Sequence, residues 1–320
     1  MTSASSNSVH GTSFRVPAKG YLYVVLAAVC WAVSGTSGKY LFQQGLTPYD
    51  LVQIRLILSV FILGAYLLIF KRHLVKIIKS DILYFAVLGM LGMGMVQFTY
   101  FYAISKIPVA SAILLEYLAP SIITLYGIVI IREKPRILTI MALIGATLGC
   151  YLVVGAYNLD LFSMNKEGII AGIGSAFAFA WYSIYGEKGM RRYHPWTVLF
   201  YALLFACLLW NLIYPPFRGF HRSFGLTEWM LILYIVILGT VIPFGLYFEG
   251  INLIRASRAS ITATLEPITA AIISWIFLGE KLDVLQITGG ILVILSVILL
   301  QVGKEEDVAT PEIIRKQAAG

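Results

Sequence analysis

Charged side chains are scarce in this chain: 12% of its 320 residues are Asp, Glu, Lys or Arg, whereas 59% are hydrophobic. A soluble globular domain carries about 25% charged residues. This composition, with a mean hydropathy of +0.84, therefore excludes that class and predicts an integral membrane protein. The formal net charge of +8 does not point to nucleic acid, because the basic residues are spread over short connections instead of lying on one face.

Cysteine chemistry and catalytic motifs are also missing. The three cysteines lie inside apolar runs without the CxxC or Cys/His spacing of a metal site, which indicates packing. The sequence has no P-loop motif, so it gives no support for direct ATP hydrolysis. All four histidines fall in tails or connections, and every aspartate lies at or beyond the end of an apolar run. We therefore expect no enzyme activity, no cofactor and no metal; a membrane-embedded enzyme stays the weaker alternative.

Ten apolar runs approach or exceed the roughly 20 helical residues that cross a bilayer. Residues 1–19 are polar and predict a disordered cytoplasmic tail, and residues 303–320 predict a second cytoplasmic tail. The pattern predicts an all-α fold with ten transmembrane helices. Their bounds are near 20–42, 50–70, 81–104, 108–131, 136–155, 168–187, 196–215, 226–249, 256–278 and 283–302.

Lysine and arginine are distributed unevenly between the two predicted sides of the membrane. The side that holds both termini carries 17 of them, and the opposite side carries 6. Basic residues concentrate on the cytoplasmic side of membrane proteins. We therefore expect both termini in the cytoplasm and a location in the cell membrane, plasma or inner.

The second half of the chain repeats the first. A shift of 147 residues places Pro120 on Pro267 and Tyr100-Phe101 on Tyr247-Phe248. Five helices per half is an odd number, so tandem copies insert in opposite orientations and form an inverted repeat. Inverted repeats with broken helices are typical of secondary transporters. The two predicted repeats span residues 20–155 and 168–302.

Three segments of the sequence resemble the drug/metabolite transporter superfamily, in particular its ten-helix EamA-type permeases. They are WAVSGTSGK (31–39), LLEYLAPSIITL (114–125) and LEPITAAIISWIFLGEK (265–281). A doubled LGE/REK signature belongs to the same resemblance, although its first copy has Arg132 where the second has Gly279. The resemblance implies a central cavity lined mainly by helices 1, 3, 4, 6, 8 and 9, with helices 5 and 10 at the periphery. It also implies export or facilitated movement of small metabolites such as amino acids, amines or organic acids.

Each half has a glutamate close to a proline in the middle of an apolar run: Glu116 with Pro120, and Glu266 with Pro267. Proline leaves the carbonyl four residues earlier without its helical donor, which frees the carbonyls of Glu116 and Ala263. A carboxyl at membrane depth faces protein or a wet cavity. We predict that both glutamates bind the solute. Proton carriage and a purely structural role are the alternatives, and both prolines are predicted hinges or fixed kinks.

Aromatic and polar side chains near the middle of other runs are further candidates for the cavity wall. Trp31 and Trp181 are predicted there because an aromatic face can hold a cation or stack on a solute, with helix packing as the alternative. The remaining predicted wall residues are Ser34, Tyr182, Gln97 and Thr262.

Arg55 and Tyr100 are assigned to the membrane interface. Arg55 lies five residues into the second run, so we interpret it as snorkelling to the outer interface, with a substrate carboxylate or a glutamate as the alternative partner. Tyr100 lies close to the end of the third run, where aromatic side chains form an interfacial belt.

Together these features predict a secondary transporter that works by alternating access, with export as the favoured direction. A flippase or transporter of a lipid-linked or nucleotide-linked substrate is the alternative, because the same cavity could serve it. We expect a small-molecule substrate, a lipid bilayer as surroundings, no nucleic acid partner, and a monomer or weak dimer.

Overall fold

The computed structural model describes residues 18–132, 134–159, 164–278, 282–302 and 309–319, and every regular element within these ranges is helical. In chain order the helices are α1 (Ala18–Gln43), α2 (Pro48–Phe70), α3 (Lys79–Lys106), α4 (Val109–Val129), α5 (Ile137–Val153), α6 (Lys166–Met190), α7 (Pro195–Ile213), α8 (Leu226–Ala263), α9 (Leu265–Leu278), α10 (Val284–Val302) and α11 (Pro311–Ala319). Short 3-10 turns lie at Arg72–Val75, Lys79–Asp81, Ala156–Asn158 and Arg218–Phe220.

Eight of these helices are long and apolar enough to cross a membrane, namely α1–α4, α6–α8 and α10. The chain is therefore an all-helical integral membrane protein, as its composition predicts. The count of eight differs from the ten predicted runs for two physical reasons. Helix α5 has only 17 residues, and the predicted runs 226–249 and 256–278 are not separated by a loop. A single non-helical residue inside α8, Arg255 (φ 71°, ψ 162°), stands where the sequence predicts the connection.

Two helices are broken at the predicted proline sites. Helix α4 consists of Val109–Glu116 and Ala119–Val129, and Thr264 separates α8 from α9. Pro120 is the second residue of its helical segment and Pro267 is the third residue of α9. Proline is tolerated in a first turn because the amides there have no helical acceptor. Each proline therefore lies in the first turn of a new helical segment, while the role of either as a hinge stays a prediction.

Helices α3 and α8 each contain a π-helical segment, at Leu88–Gly94 and Ile237–Val241. A shift of 147 residues carries the first onto 235–241, which overlaps the second. Wider π turns are rare and free backbone groups for other partners. The two halves therefore carry the same local irregularity at corresponding places.

Glycines set the close approach of corresponding helix pairs in the two halves. A Cβ atom at Gly38 would lie 2.3 Å from the ring of Phe101, and one at Gly186 would lie 2.6 Å from the ring of Phe248. The first contact joins α1 to α3 and the second joins α6 to α8. Shifts of 148 and 147 residues relate the two contacts, so the packing repeats along with the sequence.

Helices α5 and α10 pack against each other through their glycines, consistent with the small residues that let membrane helices approach closely. Gly149 and Gly289 face one another here. A Cβ atom at Gly289 would lie 2.7 Å from the carbonyl oxygen of Gly149 and 2.7 Å from the amide nitrogen of Val153. These obstacles are backbone atoms, which cannot rotate away.

Gly289→Ala is expected to lower the stability of the protein by about 1–3 kcal/mol, because the added methyl group must push two backbones apart. The measurement is the thermal unfolding midpoint in detergent. Gly290→Ala is the matched control, since its nearest neighbour is the Cγ2 atom of Ile268 at 3.8 Å, an ordinary contact. Equal unfolding temperatures for the two variants would contradict this packing.

The final helix, α11, lies within the predicted C-terminal tail and docks on the transmembrane helices. Its Arg315 guanidinium donates to the carbonyl oxygens of Met190 (2.5 Å) and Tyr193 (3.1 Å) and to Oδ1 of Asn252 (3.1 Å). With nine residues α11 is too short to span a bilayer. Residues 1–17 of the predicted tail 1–19 lie outside the described residues, whereas residues 18 and 19 belong to α1. The described residues also exclude 303–308 of the second tail, and Glu133 and 279–281 of the doubled signature.

Candidate functional site

A small cavity lies where the break in α4 faces the start of α9. About 40 Å³ of it is open to water, which holds on the order of three water molecules. Of the residues predicted for the site, five line this cavity: Trp31, Ser34, Gln97, Glu116 and Glu266. Its other wall residues are Arg55, Val96, Tyr100, Tyr117, Phe179 and Phe244.

Tyr117 joins the two broken helices across this cavity. It occupies the break in α4, and its hydroxyl lies 2.7 Å from the carbonyl oxygen of Ala263 and 2.9 Å from Oε2 of Glu266. The Ala263 carbonyl is the one that Pro267 deprives of a helical donor. A side chain of the first half therefore satisfies the backbone group that the proline of the second half leaves free. Glu266 itself is buried, with 6% of its surface exposed.

The number of hydrogens available at Tyr117 distinguishes a protonated Glu266 from an ionised one. A tyrosine hydroxyl has one hydrogen to donate and can also accept. If Glu266 carries a proton, it donates to the Tyr117 oxygen, and Tyr117 donates to the Ala263 carbonyl. The Tyr117 hydroxyl, the Ala263 carbonyl oxygen and Oε2 of Glu266 then all have a partner. If Glu266 is ionised, two acceptors share a single hydrogen.

Arg55 is a wall residue of the cavity, so its interpretation as a snorkelling interface residue is wrong. Only 2% of its surface is exposed. Its Nε donates to Oγ1 of Thr240 (2.5 Å) and one terminal nitrogen donates to the carbonyl oxygen of Gly239 (2.6 Å). Both partners belong to the π-helical segment of α8. The guanidinium also lies over the ring of Phe101, 4.9 Å from its centroid.

Aromatic rings form another part of the wall. Trp31 contacts Phe179, Phe244 and Tyr247 at centroid distances of 6.1, 5.0 and 5.5 Å. The indole nitrogen of Trp31 is buried and has no hydrogen-bond partner among the described residues. An indole N–H can only donate, so this group is available to an acceptor atom of a bound molecule.

Three predicted wall residues lie away from the central cavity. Tyr182 is fully buried and stacks on Phe248 at a centroid distance of 4.6 Å. Thr262 donates to the carbonyl oxygen of Arg258 within its own helix. Trp181 is 39% exposed and lines a second cavity.

Sequence reasoning missed part of the wall, although one signal was available. Phe179 corresponds to Trp31 at a shift of 148 residues, so the repeat relation would have identified it. Tyr100, assigned to the interface, is buried with 9% exposure and lines the cavity. Tyr117 follows Glu116 directly, but its role depends on the break in α4.

Tyr117→Phe is expected to lower stability by about 1–3 kcal/mol, because the Ala263 carbonyl loses its donor inside the membrane. The thermal unfolding midpoint in detergent measures this loss. Tyr151→Phe is the control, since that side chain is 42% exposed on α5. An unchanged midpoint for Tyr117→Phe would contradict the assigned hydrogen bond.

Comparison with known proteins agrees with this architecture. The EamA-like transporter family matches the chain twice, over residues 18–155 and 166–302. The uncharacterized inner membrane transporter YicL of Salmonella typhimurium is 30% identical over 285 residues, covering 88% of this chain and 95% of the relative. The threonine/homoserine exporter RhtA of Escherichia coli is 23% identical over 281 residues, with 87% and 90% coverage.

A solved crystal structure has the same fold. It superposes with a TM-score of 0.70 at 18% sequence identity and covers 88% of this chain and 95% of the other. The two family matches together account for most of the sequence, including both broken helices and the cavity between them. The chain belongs to the EamA-like transporter family.

Proposed function

We propose that this protein is a secondary transporter that exports small zwitterionic solutes, amino acids among them, through the central cavity. The observation that carries the proposal is the charge content of one small cavity: the guanidinium of Arg55 and the carboxyls of Glu116 and Glu266 share its wall. An amine alone or an organic acid alone would use only one of these two kinds of partner. An amino acid uses both.

The carboxylate end of the solute is assigned to Arg55. A guanidinium has five N–H donors, and the bonds to Thr240 and Gly239 use two of them. The remaining donors suit a carboxylate, which Arg binds in a fork geometry. The buried indole N–H of Trp31 is a further donor for the same solute.

The ammonium end of the solute is assigned to the two glutamates. A proton on Glu266 satisfies its cluster with Tyr117 and Ala263, whereas an arriving ammonium group would favour the ionised carboxylate. Solute and proton would then compete for Glu266. Proton coupling is therefore part of the proposal, and the hydrogen count at Tyr117 supports it.

The proposal places this site in a protein that crosses the membrane ten times as two inverted repeats, with both termini in the cytoplasm. The paired π-helical segments, the paired glycine contacts and the two family matches support the repeat. Helix α5 is about 26 Å long at 1.5 Å per residue, close to the thickness of the hydrocarbon core. Arg255 would mark the turn between the eighth and ninth crossings.

The size of the cavity supports alternating access. Its volume of about 40 Å³ suits a few waters, so an amino acid requires the walls to separate. The breaks at Tyr117 and Thr264 are the natural points of bending, with Pro120 and Pro267 beside them. Export is the proposed direction because relatives such as RhtA are named exporters.

Solute binding to the purified protein tests the charge assignment. The probes are threonine, threoninol, which lacks the carboxylate, and 3-hydroxybutyrate, which lacks the amine. We expect each single-charge analogue to bind at least roughly tenfold more weakly than threonine, since a hydrogen bond to a charged group contributes about 1.5–3 kcal/mol. Equal binding of threonine and either analogue would contradict the zwitterion assignment.

A further inference from the structure

A second, larger cavity lies along the same helices as the central one. About 270 Å³ of it is open to water, and α4, α6 and the segment that follows Arg255 line it. We call it the vestibule and define it by Trp181, Tyr185, Glu187, Lys188, Arg191 and Arg255. The central cavity does not use any of these six residues.

The vestibule lies beyond the central cavity, toward the C-terminal ends of α4 and α6. Along α4 the wall passes from Glu116 in the central cavity to Gly127 in the vestibule, and along α6 it passes from Phe179 to Lys188. In the proposed topology both directions lead to the cytoplasm. A solute leaving the cytoplasm by this route would meet the vestibule before the central site.

Positive charge dominates the vestibule. Three of its side chains are cationic and one is a carboxylate. Glu187 is already engaged, because it accepts from the amide of Ala256 at 2.8 Å and from Nε of Arg255 at 3.2 Å. Lys188 and Arg191 are exposed, and Arg191 lies 3.6 Å from Glu187. The cavity therefore favours an anion.

An aromatic surface lies beside these cations. The rings of Trp181 and Tyr185 stack at a centroid distance of 4.9 Å and an interplanar angle of 16°. Lys188 lies over the Tyr185 ring, 5.8 Å from its centroid. Trp181 is 39% exposed, so its indole can still contact another flat apolar group.

We infer that the vestibule is a loading site for solutes that carry a carboxylate on a flat apolar group. Lys188 and Arg191 attract and hold the carboxylate, and Trp181 packs against the apolar group. This inference rests on the proposed function for its direction, from cytoplasm to central site. Binding in the vestibule itself requires no transport.

The test uses phenylacetate and 2-phenylethylamine, which share a ring and differ in the sign of their charge. Equilibrium binding of each is measured on the purified full chain in detergent. We expect phenylacetate to bind more tightly, and the double variant Lys188→Gln/Arg191→Gln to weaken it at least roughly tenfold. Lys76→Gln/Lys79→Gln is the matched control, since it removes equal charge from exposed sites outside the vestibule.

The central cavity also has a cationic side chain, Arg55, so its contribution to phenylacetate binding must be measured separately. Arg55→Gln is expected to leave phenylacetate binding within about twofold of wild type, by the independence of distant sites. Equal loss of phenylacetate binding in Lys188→Gln/Arg191→Gln and in Lys76→Gln/Lys79→Gln would overturn the inference. Equal affinity of the wild-type protein for phenylacetate and 2-phenylethylamine would overturn it as well. Loss of phenylacetate binding in Arg55→Gln alone would assign the anion to the central site and overturn it too.

A second measurement uses the wild-type protein, so its result does not depend on whether a variant folds. Phenylacetate is expected to slow the reaction of Lys188 with an amine-reactive reagent while leaving Lys76 unaffected. Equal protection of both lysines, or of neither, would contradict the vestibule site. Threonine binding is measured on the same protein sample. If threonine binds but phenylacetate does not protect Lys188, only the vestibule inference fails. If phenylacetate protects Lys188 but threonine does not bind, only the proposed central site is rejected.

Discussion

Glu266→Gln is expected to abolish threonine transport and to leave the protein folded. The introduced amide has the same shape as a protonated carboxyl, so it can donate to Tyr117, and Tyr117 can donate to the Ala263 carbonyl as before. The variant therefore mimics the proton-bound site permanently. It cannot offer a charge to an ammonium group. Losing one partner of a buried charge pair costs about 2 kcal/mol or more, which corresponds to roughly a 30-fold loss or greater.

The pH response separates this account from a structural role for the carboxyl. Wild-type transport is expected to vary with pH, and any residual transport by Glu266→Gln is expected not to vary. Glu249→Gln is the control, because Glu249 is a carboxyl of α8 that lies near His194, outside the cavity. A folded Glu266→Gln variant with unchanged transport would reject Glu266 as a solute ligand.

Arg55→Gln is expected to remove the preference of the protein for threonine over threoninol. The substitution deletes the positive partner of the solute carboxylate, whereas the ammonium partners remain. We expect threonine binding to fall by roughly 10- to 150-fold, from the 1.5–3 kcal/mol of a hydrogen bond to a charged group. Threoninol binding should change much less. The ratio of the two affinities is therefore the informative quantity.

The ratio of threonine to threoninol affinity also separates loss of the carboxylate partner from a general loss of folding. Arg55→Gln weakens the contacts with Thr240 and Gly239, so a general loss of folding would weaken both ligands together. Arg72→Gln is the control, since Arg72 is exposed and donates only locally, to the carbonyl oxygen of Leu68. A threonine-to-threoninol ratio in Arg55→Gln equal to that of wild type would contradict the assignment of Arg55.

The broken helices and their glutamates could be predicted because the cause is local. Proline removes a backbone donor wherever it stands, so Pro120 and Pro267 mark irregular backbone from the sequence alone. A carboxyl in the same apolar run is expected to face the interior of the protein or a water-filled cavity. The structure brings Glu116 and Glu266 into one wall, although their solute contacts remain a proposal.

The role of Arg55 could not be predicted from the apolar run, whose start differs from that of α2 by two residues, about half a helical turn. The apolar run suggests that the helix begins near residue 50, whereas α2 begins at Pro48. Arg55 is thus about 10 Å from the start of its helix. Its acceptors arise from the π-helical segment of α8, for which the sequence gives no clear signal. Tertiary contacts, and not the run itself, determine where the guanidinium lies.

The repeat predicts the architecture better than it predicts the site. Corresponding glycines make corresponding contacts, because close packing requires the same small residue in both halves. The cavity wall is different. Gln97 corresponds to Phe244, so one half supplies a polar side chain where the other supplies a ring, and Ser34 of the wall corresponds to Tyr182, which lies outside the wall. The symmetry locates the cavity, while the side chains of its wall differ between the halves.

Threonine counterflow in liposomes tests the central claim most directly. Purified protein is reconstituted with a high concentration of unlabelled threonine inside, and entry of labelled threonine is followed from a much lower external concentration. A single site exposed alternately to the two sides predicts transient accumulation above equilibrium, saturable with threonine and absent in Glu266→Gln. Uptake that only approaches equilibrium, is unaffected by internal threonine and is equal in Glu266→Gln would contradict alternating access through this cavity.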